Sequence, residues 1–175
     1  PAGTVVRPSA ERLREAVFSM LEHRPPGIAG SSFLDLFAGS GAIGLEALSR
    51  GAGKLVAVEA DRSVAAALRR NLAKLGETER TRLMIGDATR LPRAAAAVDI
   101  VYLDPPYESG LAAPALVSLV AGGWLAPGAV VIVELASREG FTAPPGFVVH
   151  DERRYGAGRI VLLEMSLTLD STAEQ

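Results

Sequence analysis

Short apolar runs of strand length alternate with stretches of helical periodicity along most of this chain, and no other feature constrains its fold as tightly. Residues 32–37 read as a strand, 38–41 as a glycine loop and 42–50 as a helix. A second strand spans 54–59, and the helix after it is capped by Asp61 and closed at Gly76. Residues 83–85 and 98–103 supply two more strands, 111–121 a helix and 129–134 a fifth strand. Ahead of them all, Ala10, Leu13, Ala16, Val17, Met20 and Leu21 recur at helical spacing after the start signal Pro8-Ser9. Pro25-Pro26-Gly27 ends that first helix.

Strands separated by helices return through right-handed crossovers, so this order implies a parallel sheet covered on both faces. The tail is different. Residues 147–155 and 159–168 are extended runs joined only by Gly156-Ala157-Gly158, a link too short for anything but a hairpin. The expected fold is α/β: a doubly wound, mostly parallel seven-stranded sheet ending in an antiparallel hairpin. Residues 31–169 are expected to form this domain, preceded by a helical extension over 1–30 and followed by a polar tail, 170–175.

The 175 residues suit one substantial core, and no apolar run approaches the ~20 needed to cross a bilayer. The absence of cysteine excludes disulfides, thiolate nucleophiles and Cys-ligated zinc, and fits a reducing compartment. His23 and His150 lack metal-ligand spacing and read as surface or helix-end residues, so no metal is expected. The net charge is −2, so contact with a nucleic acid requires local basic clusters. Three are present: Arg7/Arg12/Arg14, Arg69/Arg70/Lys74 and Arg153/Arg154/Arg159.

Gly39-Ser40-Gly41-Ala42-Ile43-Gly44 matches G-x-G-x-x-G between a strand and a helix. Glycines there let the backbone approach a ligand, and the helix start offers N–H groups to an anion, either a pyrophosphate or an amino-acid carboxylate. The neighbouring acids choose between the two. Asp35 lies inside the first strand, Glu59 ends the second, Asp87 follows the third and Asp104 ends the fourth. Ligands of open parallel sheets bind beyond the carboxyl ends of the strands. Carboxylates gathered there repel a pyrophosphate but attract a ligand with ammonium and sulfonium centres, which favours S-adenosylmethionine over NAD. Glu59 suits acceptance from two ribose hydroxyls, and Asp87 either faces an adenine or caps the next turn. Asp99 reads as structural.

Val98-Asp99-Ile100-Val101-Tyr102-Leu103-Asp104-Pro105-Pro106-Tyr107 is the most informative stretch. The two prolines remove two backbone donors, leaving an acceptor surface of the Asp104 carboxylate and the Pro105 carbonyl. An exocyclic amine on a heteroaromatic ring is a poor nucleophile because its lone pair is delocalised. Two acceptors holding its N–H groups return that pair to nitrogen, and Tyr107 offers a flat face for the base. Asp104, Pro105, Pro106 and Tyr107 are therefore the candidate catalytic residues.

FLDLFAGSGAIGLEALSRGA, VAVEADRSVAAALRRNLAKLG and VYLDPPY, with the leading stretch RPSAERLREAVFSML, resemble the RsmD family of bacterial 16S rRNA guanine-N2 methyltransferases. The likeness runs from about Arg7 to Glu164. It implies a class I methyltransferase fold and S-adenosylmethionine contacts by Asp35, Gly39, Gly41, Glu59 and Asp87. It implies substrate contacts by Asp104 to Tyr107, with 16S rRNA, in the small ribosomal subunit or its precursor, as partner of a cytoplasmic monomer. RNA contacts are expected at Arg7 and Arg12, and more weakly at Arg153 and Arg154; the alternative for Arg12 is an ion pair with Glu11 or Glu15. Members of that family usually carry a basic, glycine-rich segment ahead of the point where this chain starts, and a chain without it is expected to bind cofactor yet methylate poorly. The rival readings are amino-methylation of DNA adenine or cytosine, or of a protein glutamine amide, an NAD-dependent oxidoreductase, and a non-catalytic RNA-binding module.

Overall fold

The computed structural model describes residues 8–166. Helix α1 (Pro8–Glu22) leads into β1 (Ser32–Asp35), α2 (Ala42–Ser49), β2 (Lys54–Glu59), α3 (Arg62–Leu75) and β3 (Thr81–Ile85). A single 3₁₀ turn (Ala88–Arg90), β4 (Val98–Leu103), α4 (Ala112–Ala121), β5 (Leu125–Ala136), β6 (Phe147–Tyr155) and β7 (Gly158–Met165) complete it. The seven strands form one sheet in the order β3-β2-β1-β4-β5-β7-β6. The first five are parallel, and β7 slots antiparallel between β5 and β6. This is the expected α/β class I methyltransferase layout.

The central strands are apolar on both sides, as a doubly covered parallel sheet requires. Phe33, Ala57, Ile100, Tyr102, Ile132, Ile160 and Leu162 face α1, α2 and α3, where Val17, Phe18, Leu48, Leu68 and Leu72 meet them. Leu34, Val58, Val101, Leu103, Val131 and Val133 face α4, against Ala115, Leu116 and Leu119. Each such side chain contributes roughly 1.5–3 kcal/mol by leaving water. Helix α1 is part of this packing: Leu13, Val17, Phe18, Met20 and Leu21 are all buried.

Local chemistry sets the element ends. Asp61 accepts from the Ser63 and Val64 amides at the start of α3, and Gly76 closes it at φ 73. Asp99 Oδ2 accepts from both Ser32 N (2.8 Å) and Ser32 Oγ (2.6 Å), pinning β4 to β1, which is the structural role expected of it. The hairpin turn places Gly156 at φ 60 as the first of its two loop residues. The outermost strand, β6, reads His150-Asp151-Glu152-Arg153-Arg154 at its centre, and charges of this kind discourage a further strand from adding to the edge.

Several boundaries differ from the sequence reading: β3 begins at Thr81 rather than at residue 83 and β7 ends at Met165 rather than at 168, and two further differences have a local cause. Strand β1 stops at Asp35 rather than at residue 37, where the chain turns so that Leu36 N donates to Tyr102 O of β4 and Ala38 N to Val58 O of β2. Strand β5 begins at Leu125, four residues early, with an irregularity that lets the Pro-Gly pair pass.

Candidate functional site

The end of β1 decides the site. Because β1 ends at Asp35, all of the acids flagged in the sequence lie at or just past the carboxyl ends of strands. The pleat then sorts them by face. Asp35 is two residues beyond Phe33, Glu59 two beyond Ala57, and Asp104 two beyond Tyr102, so all three point to the α1–α2–α3 side. Glu134 is two beyond Ile132 and joins them. Strands β2, β1, β4 and β5 are consecutive neighbours, so Glu59, Asp35, Asp104 and Glu134 make a row of four carboxylates across the top of the sheet.

Asp35 is only 2% exposed, and its Oδ1 has no hydrogen-bond partner among the described residues. Burial pushes its pKa up to about 7; backbone N–H groups of Gly44 and Phe37 oppose that rise, and the charge of Glu59 adds to it. Asp104 is open to solvent on one side. Crowding by protein on the others, together with the charges of Glu134 and Asp35, brings it to about 7 as well. Burial also raises Glu134, opposed by a short hydrogen bond that the buried Tyr102 hydroxyl donates to its Oε2. Among the described residues no lysine or arginine forms an ion pair with Asp35, Asp104 or Glu134. A concentration of negative charge without a counter-cation is a site shaped for a cationic ligand.

The glycine loop closes one side. Gly39, at φ 55, would meet nothing within 4 Å if it bore a Cβ, so its backbone faces open space. Gly41, at φ 93, caps α2, and a Cβ there would stand 2.3 Å from Leu68 Cδ1. Gly44 lies against Leu55 at 2.8 Å by the same construction, so it serves helix–sheet packing. Helix α2 has no side-chain cap, and with the Gly44 amide on Asp35 the amides of Ala42 and Ile43 are left for a ligand. Glu59 braces the loop: its Oε2 accepts from Gly39 N at 2.9 Å and its Oε1 from Asp61 N at 2.9 Å. Asn71 of α3 donates to Ser40 O at 2.9 Å.

Glu59, Asp87, Asp104, Pro106, Phe37 and Leu111 line a cleft of about 290 Å³. Asp87 caps the 3₁₀ turn through its Oδ1, which accepts from Thr89 N (2.8 Å) and Thr89 Oγ1 (2.7 Å) and lowers its pKa. Capping and facing the cleft are thus compatible roles. A larger hollow of about 400 Å³ among Lys54, Arg80 and Trp124 lies at the amino ends of the strands, away from this constellation and from where parallel sheets bind ligands. The site at the carboxyl ends is the better candidate.

Past Asp104, Pro105 is buried while Pro106 and Tyr107 are exposed, and Glu108 sits at φ 56, an uncommon backbone state for a residue with a side chain. The Tyr107 hydroxyl reaches toward Gly158 on β7, and Leu13 of α1 packs on that same glycine. The base-stacking candidate, the first helix and the hairpin therefore meet at one place.

The basic candidates separate. Arg14 pairs with Glu46 of α2 at 2.8 Å, while Arg12 is exposed and no pair with Glu11 or Glu15 forms. Arg153 pairs with Asp151 at 2.9 Å and Arg154 with Glu152 at 3.8 Å. Arg159 is 8% exposed and holds Glu152 at 2.9 Å, so it is no surface cation. Arg7 lies outside the described residues. His150 pairs with Glu164 at 2.9 Å and His23 bonds Ser19 O at 2.8 Å, and the described residues hold no cluster of potential metal ligands. Glu134 is the residue that the sequence reading passed over. The signal was available, since the fifth strand as read from the sequence ends on Glu134, although β5 runs on to Ala136.

Residues 1–164 match the model of the family described as Conserved hypothetical protein 95. The chain is 37% identical over 158 residues to the ribosomal RNA small subunit methyltransferase D of Escherichia coli strain K12, covering 89% of this chain and 78% of that one. It is 35% identical over 155 residues to the protein of the same name in Haemophilus influenzae, covering 86% and 79%. Among solved structures, the yhhF protein of Escherichia coli, assigned as a methyltransferase, superposes with a TM-score of 0.77 at 35% identity, covering 88% of this chain and 85% of that one.

Proposed function

This chain belongs to the family described as Conserved hypothetical protein 95, the RsmD family, and on that footing we propose that it transfers a methyl group from S-adenosylmethionine to the exocyclic N2 of a guanine in 16S ribosomal RNA. It is a methyltransferase dependent on S-adenosylmethionine. The observation that carries the reading is the carboxylate row that includes Asp104 of Asp104-Pro105-Pro106-Tyr107, with an unpartnered buried oxygen on Asp35 and, among the described residues, no cation paired with Asp35, Asp104 or Glu134.

The residues fit that cofactor. On this reading the Asp35 Oδ1 receives an ammonium group, the amides of Ala42 and Ile43 a carboxylate, and Glu59 and Asp87 the ribose and adenine. When bound, the cofactor supplies an electrophilic methyl group on a cationic sulfur. Asp104 and the Pro105 carbonyl hold the amine N–H groups so that the nitrogen lone pair points out of the ring system. Tyr107 carries the base on its face. Once nitrogen has taken the methyl group, its N–H is strongly acidic, and the Asp104 carboxylate accepts the proton.

The partner is taken to be the small ribosomal subunit or its precursor, with the enzyme a cytoplasmic monomer; among the described residues no helix is long and apolar enough to cross a membrane. Transfer of tritiated methyl groups to purified small subunits, followed by digestion and nucleoside chromatography, tests the reading. Label in N2-methylguanosine of 16S rRNA is the expected result; label in a glutamine of a ribosomal protein, or in the adenine of duplex DNA offered in a parallel reaction, would replace it. Asp104→Ala should keep the cofactor bound and lose roughly 10²-fold or more in turnover, because its bonds tighten in the transition state.

A further inference from the structure

We propose that Glu134, clamped by the Tyr102 hydroxyl, is a positioning residue for Asp104, its charge making Asp104 the proton acceptor of the methyl-transfer step. The proposal rests on the amino-methyltransferase reading and adds a pair of residues to it.

The geometry begins with the sheet. Strands β4 and β5 are parallel neighbours in register through Leu103 and Val133, so Asp104 and Glu134 emerge side by side about one strand spacing, ~4.8 Å, apart. On its other side Glu134 is opposite Ile160 of β7. Tyr102, 2% exposed, lies beneath on β4 with its ring in the α1-side core and its hydroxyl on Glu134 Oε2. A tyrosine this deep needs a partner for its hydroxyl, and Glu134 is that partner. In return the carboxylate is fixed at its Oε2 end.

The electrostatics follow from this placement. The charges acting on Asp104 are Glu134 from β5 and Asp35 from β1, and Glu59 from β2 acts on Asp35 in turn. Helix α1 presents Leu13 and Val17 to this face, while Arg14 is turned to Glu46 on α2. A carboxylate beside a second, fixed carboxylate holds a proton more tightly than one standing alone. Burial raises Asp104 most, and the charges of Glu134 and then Asp35 add to it, bringing it to about 7, where an aspartate near its ordinary 3.8 would be a much weaker base.

The step balances without another reagent. The amine lone pair forms the N–C bond as the C–S bond breaks and its electron pair passes to sulfur. The proton left on nitrogen moves to Asp104 and leaves to solvent through the exposed side of that carboxylate.

The experiment uses the full chain with selectively ¹³C-labelled aspartate. The Asp104 carboxyl is titrated by NMR in the wild type, Glu134→Gln and Tyr102→Phe, and single-turnover methyl transfer to small subunits is followed across the same pH range. Glu134→Gln should lower the Asp104 midpoint by about one unit, since a fixed neighbouring charge is gone. Tyr102→Phe should move it in the same direction by less, because Glu134 without its donor takes the shared proton itself. The acid limb of the rate profile should follow both shifts, the plateau rate should fall roughly three- to tenfold, and cofactor affinity should stay within a factor of about three. A role in packing alone would lower thermal stability and leave the Asp104 midpoint in place, and an unmoved midpoint in folded Glu134→Gln overturns the proposal. The titration needs no RNA, so a wild type that failed to methylate subunits would defeat the substrate reading while the midpoint still decided this one.

Discussion

Asp35, proposed here to receive the ammonium group of the cofactor, costs the fold that carries it. Its carboxyl is held at about 7 by burial, against 3.8 in the unfolded chain, so between those values the folded state binds more protons than the unfolded state. Stability from this group is therefore present below about pH 4 and is lost as pH rises toward and through 7. Asp35→Asn should leave the cofactor-free protein more stable than wild type at pH 8, on the order of 2–4 kcal/mol, with the gap closing by pH 4. Thermal unfolding of both proteins across that range checks the sign; a gap that widened on acidification would contradict it. The same variant should lose the cofactor, which calorimetry reads directly. Glu59 poses a different question, because both its oxygens already accept backbone N–H groups while lone pairs remain on each. Glu59→Ala should weaken S-adenosylmethionine by about 1–3 kcal/mol per lost contact. If binding in Glu59→Ala matches wild type, Glu59 braces the glycine loop and does nothing else.

At the scale of elements, three glycines in the loop and the first turn of α2 divide the work. Gly39 faces open space, Gly41 combines a left-handed backbone with close packing on Leu68, and Gly44 lets α2 settle on Leu55. Gly39→Ala should cost only the ~1 kcal/mol of a left-handed alanine, while Gly41→Ala should cost about 2–4 kcal/mol because overpacking adds to it. Urea denaturation of the two variants should therefore rank Gly41→Ala as clearly the less stable. Equal midpoints would mean that the loop can shift to absorb a methyl group. Most elements were legible in the residues themselves. The cap at Asp61, the stop at Gly76, the limits of β2 and β4 and the short hairpin link are set by chemistry within a few positions. The early end of β1 and the early start of β5 were not, because each depends on which neighbour supplies the next hydrogen bond.

Across the whole molecule the charge is −2, so affinity for RNA has to come from a restricted surface. Ion pairing ranks the candidates, although the RNA contacts themselves remain a proposal. Arg153 and Arg154 have acids on their own strand, while Arg12 has no ion pair among the described residues and lies on α1 beside the meeting point of Leu13, Gly158 and Tyr107. Phosphate contacts release counterions, so methyl transfer should fall steeply with salt. Arg12→Ala should reduce the log–log slope by roughly 0.7–0.9, and Arg153→Ala or Arg154→Ala by less. Identical slopes for Arg12→Ala and wild type on small subunits would move the RNA surface elsewhere, with Arg69, Arg70 and Lys74 on α3, which form no ion pair among the described residues, next to be tried.

Period, capping and turn chemistry act over a handful of residues, and for that reason the alternation of strands and helices, the hairpin and the acceptor tetrapeptide Asp104 to Tyr107 were written in the sequence alone. So was the chemical class of the ligand, since carboxylates at strand ends repel phosphates wherever the strands lie. Tertiary structure decided whatever depends on partners distant along the chain. It inserted β7 between β5 and β6, joined Ser32 to Asp99 and withdrew Arg14, Arg153 and Arg159 into ion pairs. It also aligned β2, β1, β4 and β5 so that four acids share one face, with Glu134 between Tyr102 and Asp104. The reason is physical: a residue's period fixes which way it points from its own strand, but only the packed sheet fixes which charge stands beside it.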